Sequence, residues 1–180
     1  MDRNQCRPDI HSDNRPDELN AWLRVHLGRQ LTVALIAPGE ATNDEAHSLM
    51  EALAVYREIR VLWEPSQAEM AYLDTLSAIE PEVVLIWTTL RLPETTSATI
   101  PQADGDLHTL LGELDGRGVL DRAFVALIGP GITREGARRV GFEDGFSAAM
   151  DLARLATELA HEGVAVNERR RRGSSPPCYL

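Results

Sequence analysis

Four short apolar runs, spaced along the chain by segments of helical period, constrain the fold more than any other feature. They are Leu31-Thr-Val-Ala-Leu-Ile-Ala37, Ile59-Arg-Val-Leu-Trp63, Val83-Val-Leu-Ile-Trp87 and Phe124-Val-Ala-Leu-Ile128. Pro38-Gly39 ends the first, Pro65 follows the second, and Gly129-Pro130-Gly131 ends the fourth. Runs this short and this uniformly apolar suit strands covered on both faces. Between them, Leu49, Leu53 and Tyr56 recur at helical spacing over Ala46 to Tyr56. Ser66, with Glu69 three residues on, reads as the N-cap of a helix through Ile79. Further helices are expected over 107–115, 133–140 and 148–161, the last with Leu152, Leu155 and Leu159 inward, and a weak fifth strand after Gly141-Phe142. Alternating strands and helices specify a parallel sheet covered on both sides. Right-handed crossovers favour the flavodoxin-like (Rossmann-like) doubly wound order 2-1-3-4-5, with Val33, Leu35, Val84, Leu85, Val125 and Leu127 in the core.

The flanks differ from this middle. Residues 1–16 are polar and hold Pro8 and Pro16, so they read as a flexible arm, and 166–180 read as a flexible Arg-rich tail around Arg169 to Arg172, leaving 17–165 as the folded α/β domain. The arginine run itself is either an interaction patch or the solvated end of the last helix.

Charge narrows the function. The 28 acidic residues outnumber the 18 basic ones for a net charge of −10, which argues against a nucleic-acid partner. No apolar run nears the ~18–20 residues of a membrane span. Met1 to Cys6 lacks a signal-peptide layout, and two cysteines, Cys6 and Cys178, cannot build a disulfide framework, so the expected location is cytoplasmic. Every basic residue is arginine, so there is no Walker lysine; Ala37-Pro38-Gly39-Glu40 supplies no phosphate-binding glycine pattern. A phosphoacceptor domain is excluded too, since Trp87 and Thr88 stand where its acid would end the third strand.

In a sheet of this order ligands bind beyond the carboxyl ends of the strands, near the switch between strands 1 and 3. The loops expected there are Pro38 to Ala46, Thr88 to Gly105 and Gly129 to Thr133. The first holds Asn43-Asp44-Glu45-Ala46-His47-Ser48-Leu49-Met50. A histidine in such a place can give one ring nitrogen to a metal while a carboxylate orients it through the other.

On these residues the chain resembles the cobalamin (vitamin B12)-binding domains, and within them the cobalamin-binding part of the lysine 5,6-aminomutase small subunit. Glu45-Ala46-His47 is similar to the Asp-Ala-His of that family's Asp-x-His-x-x-Gly motif. Leu120-Asp121-Arg122-Ala123-Phe124-Val125 resembles its Leu-x-Asp-Arg-Phe-Val, Gly129-Pro130-Gly131-Ile132 lies where it has Gly-Gly-Pro-Arg-Ile, and Val140-Gly141-Phe142-Glu143-Asp144-Gly145-Phe146 resembles its Leu-Gly-Tyr-Asp-Ala-Gly-Phe. The resemblance covers Leu31 to His161. It implies a stand-alone module for cobalamin (adenosylcobalamin or methylcobalamin), the small subunit or cofactor carrier of a mutase-type isomerase. His47 would be the lower axial ligand of cobalt and Glu45 its orienting partner. The implied cofactor-binding set is Glu45, His47, Met50, Trp87, Thr88, Leu90, Gly129, Gly131 and Gly145, with no catalytic residue. The implied partner is a larger barrel-type catalytic subunit or a second copy, met at an apolar rim of Trp63, Trp87 and Leu90.

The departures leave alternatives open. Met50 replaces the motif glycine where the nucleotide tail of the cofactor passes, Pro130 interrupts the paired glycines, Trp87 or Thr88 replaces a serine, and Ser147-Ala148-Ala149 replaces a glycine-rich loop. Filling a slot meant for a ligand costs about 1–3 kcal/mol per overpacked position. A domain that has lost the cofactor and serves as a protein-interaction or regulatory module stands beside the first reading. So does corrinoid binding with the nucleotide base retained on cobalt.

Overall fold

The computed structural model describes residues 16–37, 44–63, 69–89 and 104–173. Five strands, β1 (Leu31–Ile36), β2 (Ile59–Leu62), β3 (Val83–Trp87), β4 (Phe124–Gly129) and β5 (Asp144–Ser147), form one sheet in the order β2-β1-β3-β4-β5. All pairings are parallel, with Val33 beside both Val61 and Val83 and Leu85 beside Ala126. This is the flavodoxin-like doubly wound topology that the apolar runs predict. All six expected core residues are at most 2% exposed.

Alternation along the strands divides the core. Val33, Leu35, Val83, Leu85, Trp87, Ala126 and Ile128 face α1 (Pro16–Leu27), α2 (Asp44–Leu53) and α7 (Leu152–Gly173). Ala34, Ile36, Val84, Ile86, Val125 and Leu127 face α3 (Glu69–Ile79), α4 (Asp104–Gly116), α5 (Val119–Arg122) and α6 (Arg134–Arg139).

Three features differ from expectation. The first is α1, which has no counterpart in the expected helices. Leu19, Leu23 and Leu27 lie four residues apart and are buried, and Asn20 accepts a hydrogen bond from the Glu58 N–H at 3.0 Å. Pro16 opens the helix and Asp17 and Glu18 complement its amino end.

The second is the inner face of α2, which buries the expected Leu53 together with Ala46 and Met50, while Leu49 is only partly buried; Tyr56, also expected, is buried just past the helix. The third is the reach of α7. Residues 166–173 are its last two turns rather than a flexible tail, with Val164, Val166 and Asn167 buried. Gly163 permits this: a Cβ there would overlap the Leu31 side chain, so the glycine lets α7 lie flush on β1. The Ser66 cap, the 1–15 arm and residues beyond 173 lie outside the described residues.

At the amino ends of the strands α7 also closes the molecule. Arg170 donates to the carbonyls of Arg122 (2.8 Å), Glu80 (3.0 Å) and Pro81 (2.8 Å). Beside it Glu82 is fully buried, accepts the Thr32 N–H at 2.9 Å and a hydrogen bond from Arg29, and lies 3.8 Å from Arg170.

Candidate functional site

The helix α2 begins at Asp44, immediately past the β1 loop, and presents three distinct faces. Ala46, Met50 and Leu53 enter the core. Glu45, Ser48, Leu49 and Ala52, at spacings of three and four, line a recess at the carboxyl edge of the sheet. His47 and Glu51 lie on a third face, both side chains more than half exposed, with Nε2 of His47 3.1 Å from a Glu51 oxygen. The ring of His47 packs at 5.1 Å from that of half-buried Trp63, just past the end of β2. The carboxylate that meets His47 is therefore Glu51, one turn on, while Glu45 points into the recess.

The opposite wall of the recess comes from Pro130 and Gly131 after β4, and from Ala148, Ala149, Met150 and Leu152 between β5 and α7. Trp87, the last residue of β3, completes it, and the recess, open to solvent, has a volume of about 560 Å³. Gly131 has φ +74°, a left-handed turn that a side chain would strain.

The remaining expected residues serve the walls or lie elsewhere. Thr88 is buried and its N–H donates to the Ile128 carbonyl at 2.9 Å. Gly129 lies so close to the Thr88 carbonyl oxygen that an added Cβ would overlap it. Gly145 packs under α6, against Ala137, Thr133 and Ile132, away from the recess. Met50 is 3% exposed, inside the core. Leu90 lies outside the described residues. Of the expected rim, Trp87 is buried and Trp63 half-buried. The structure thus gathers Glu45, Trp87 and Gly131 around one recess and sets His47 on the neighbouring face.

Sequence reasoning did not assign Ser48, Leu49, Ala52 and Leu152 to the site. The first three share the four-residue stripe of Glu45, which becomes readable once the first residue of α2 is known.

One buried polar atom behind the recess wall is out of balance. Trp87 is 4% exposed, and among the described residues its Nε1 has no hydrogen-bond partner. The other donors nearby are satisfied. The N–H groups of Ala148, Ala149 and Met150 donate to the Gly129 carbonyl, Ser147 Oγ and the Ser147 carbonyl, and Ser48 Oγ donates to the Asp44 carbonyl. No group of three or more metal-ligating side chains occurs among the described residues.

No family model matches the chain, and no curated protein does. Among solved structures it is similar to a novel cobalamin-binding protein from Desulfitobacterium hafniense DCB-2, at 16% identity and a TM-score of 0.48, over 87% of this chain and 71% of that one. Among the described residues no helix is long and apolar enough to cross a membrane.

Proposed function

We propose that this chain is a stand-alone cobalamin-binding module, a cofactor carrier for a larger catalytic partner. The observation that carries the reading is His47 itself. Its imidazole is exposed at the carboxyl edge, one ring nitrogen is held by a carboxylate, and it belongs to the Glu45-Ala46-His47 segment that resembles the family motif. That is the arrangement an axial imidazole ligand needs. When bound, cobalamin supplies the cobalt centre and its reactive carbon–cobalt bond. His47 would hold the metal, and Glu51 would fix the ring.

The exposed imidazole beside a carboxylate favours the axial-ligand role, whereas the packing opposes a buried tail. Met50 fills the space between α2 and the sheet, and Gly129 is pressed against the Thr88 carbonyl. A cofactor on this module therefore keeps its nucleotide outside the core.

Titration with hydroxocobalamin, followed by its visible spectrum, tests the reading. Micromolar binding is expected. His47→Ala should remove the histidine-coordinated spectrum, and Glu51→Ala should weaken binding by ~10–100-fold with the spectral type kept. Absence of micromolar binding overturns the reading, and an unchanged spectrum in His47→Ala moves the ligand role from His47 to the cofactor's own base.

Met50 favours a second reading, a domain without cofactor that binds a protein partner. Uptake of hydroxocobalamin by Met50→Gly and not by wild type would support that second reading, and equal behaviour of the two would leave the steric argument without support.

A further inference from the structure

The imidazole of His47 meets two side chains that come from different elements. Glu51 follows it by one turn of α2, with a carboxylate oxygen 3.1 Å from Nε2. Trp63 stands just past β2, and its ring centroid lies 5.1 Å from that of the imidazole with the planes tilted by 46°. The first contact alone orients the ring poorly. Both partners are more than half exposed, and an exposed pair of this kind gains little over water. Glu51 also belongs to the same helix as His47, so it cannot fix the ring relative to the sheet.

The second contact supplies that reference. Leu62, the residue before Trp63, pairs with Ala34 of β1, and Trp63 packs half-buried against the core on the α2 side of the sheet. Across the contact, α2 is fixed by Ala46, Met50 and Leu53, all at most 3% exposed. An indole seated on the sheet thus meets an imidazole seated on a locked helix, at a separation ordinary for an aromatic pair. A free surface imidazole samples several rotamers, and binding through it costs the entropy of choosing one. We propose that Trp63 is a positioning residue, which fixes the His47 ring before a metal arrives and so presents the imidazole in one orientation at the carboxyl edge. The proposal rests on the reading of His47 as an axial ligand, and two probes separate them.

Diaquacobinamide, a corrinoid without the nucleotide, reads the axial imidazole alone, and hydroxocobalamin reads the whole cofactor. In the full chain without either probe, nuclear Overhauser contacts between the ring protons of His47 and Trp63 are expected. In Trp63→Leu the His47 ring protons should return toward the values of an unstructured peptide. Titration with diaquacobinamide should give a histidine-coordinated spectrum, with His47→Ala supplying the background from the other histidines. Trp63→Leu should weaken this coordination roughly fivefold, the worth of one immobilised side chain. Trp63→Phe keeps an aromatic face and should restore most of the affinity. Absence of the ring contacts in the wild-type chain overturns the proposal with no variant needed, which keeps it decidable even where Trp63→Leu folds poorly. Equal cobinamide affinity in wild type and Trp63→Leu overturns it as well, as does a wild-type spectrum without His47 coordination. Failure of hydroxocobalamin where diaquacobinamide coordinates through His47 and weakens in Trp63→Leu defeats the proposed cofactor and upholds the positioning role.

Discussion

The two ends of the sheet are built on opposite principles. At the amino end Glu82, the one fully buried carboxylate among the described residues, meets the Thr32 N–H, Arg29 and Arg170, and Arg170 caps three carbonyls besides. At the carboxyl end the buried indole of Trp87 meets no acceptor among the described residues, beside a recess of about 560 Å³. Closed polar accounting holds one end together; at the other a buried donor stays unspent. The expensive group lies at the end where the cleft beside Arg170 is only about 10 Å³, and the inexpensive one at the end with the larger recess.

Breaking the closed end should have the largest effect. Glu82→Ala leaves Arg170 without its buried counter-charge and the Thr32 N–H without an acceptor. The expected loss is on the order of 3 kcal/mol, since Arg29 is half exposed and can return to water. Urea denaturation measures it, and a loss below about 1 kcal/mol would remove Glu82 from the argument. Gly129→Ala strikes the frame of the open end. The new methyl meets a backbone oxygen, which cannot rotate away, so a loss of roughly 2–3 kcal/mol is expected on the same assay.

A smaller effect appears at the edge of the closed end, near the start of β5. Burial, countered by Arg169 and reinforced by Asp144, raises the Glu143 carboxyl above its ordinary 4.5. Burial first, then Glu143 and Asp144, raises Glu162 likewise. Acids raised on folding bind more protons in the native state, so their contribution is fully present below 4.5. It is lost as pH rises through the folded values. Glu162→Gln should therefore gain stability relative to wild type as pH is raised from 4.5 toward 7. Denaturation midpoints at several pH values check this, and a constant difference would refute it. The smallest effect belongs to Trp87→Phe. Deleting an unpartnered donor should change stability by less than about 1 kcal/mol. A loss above about 3 kcal/mol, more than the cavity left by the smaller ring accounts for, would mean that the indole nitrogen is bonded after all and that the contrast between the ends is false.

The strands were legible because each is buried on both faces and so reads as an uninterrupted apolar word. The helices carried less. The pattern of α1 was present in Leu19, Leu23 and Leu27, but it abuts a polar, proline-bearing stretch that masks it. In α7, Gly163 and the arginine run look like stop signals, whereas tertiary contact uses one for close packing and the other for capping. The site suffered from phase. Each residue along a helix turns the face by about 100°. Knowing that Glu45 and His47 follow β1 places both near the crevice, yet only the start at Asp44 separates the recess stripe from the His47–Glu51 face. An orphaned indole nitrogen leaves no trace in sequence at all, because it is a missing partner rather than a present residue.

The reach of Arg170 has a consequence in time. The carbonyl of Pro81 waits for a guanidinium 89 residues farther along the chain, and Glu82 waits beside it. While the polypeptide emerges, β1, β2 and β3 can pair, but Glu82 lacks its inner counter-charge until the last turns of α7 have been made. Closure of so long a loop comes late, after the local helices have formed. In order of synthesis, the inner counter-charge of Glu82 is thus among the last parts of the described chain to be made.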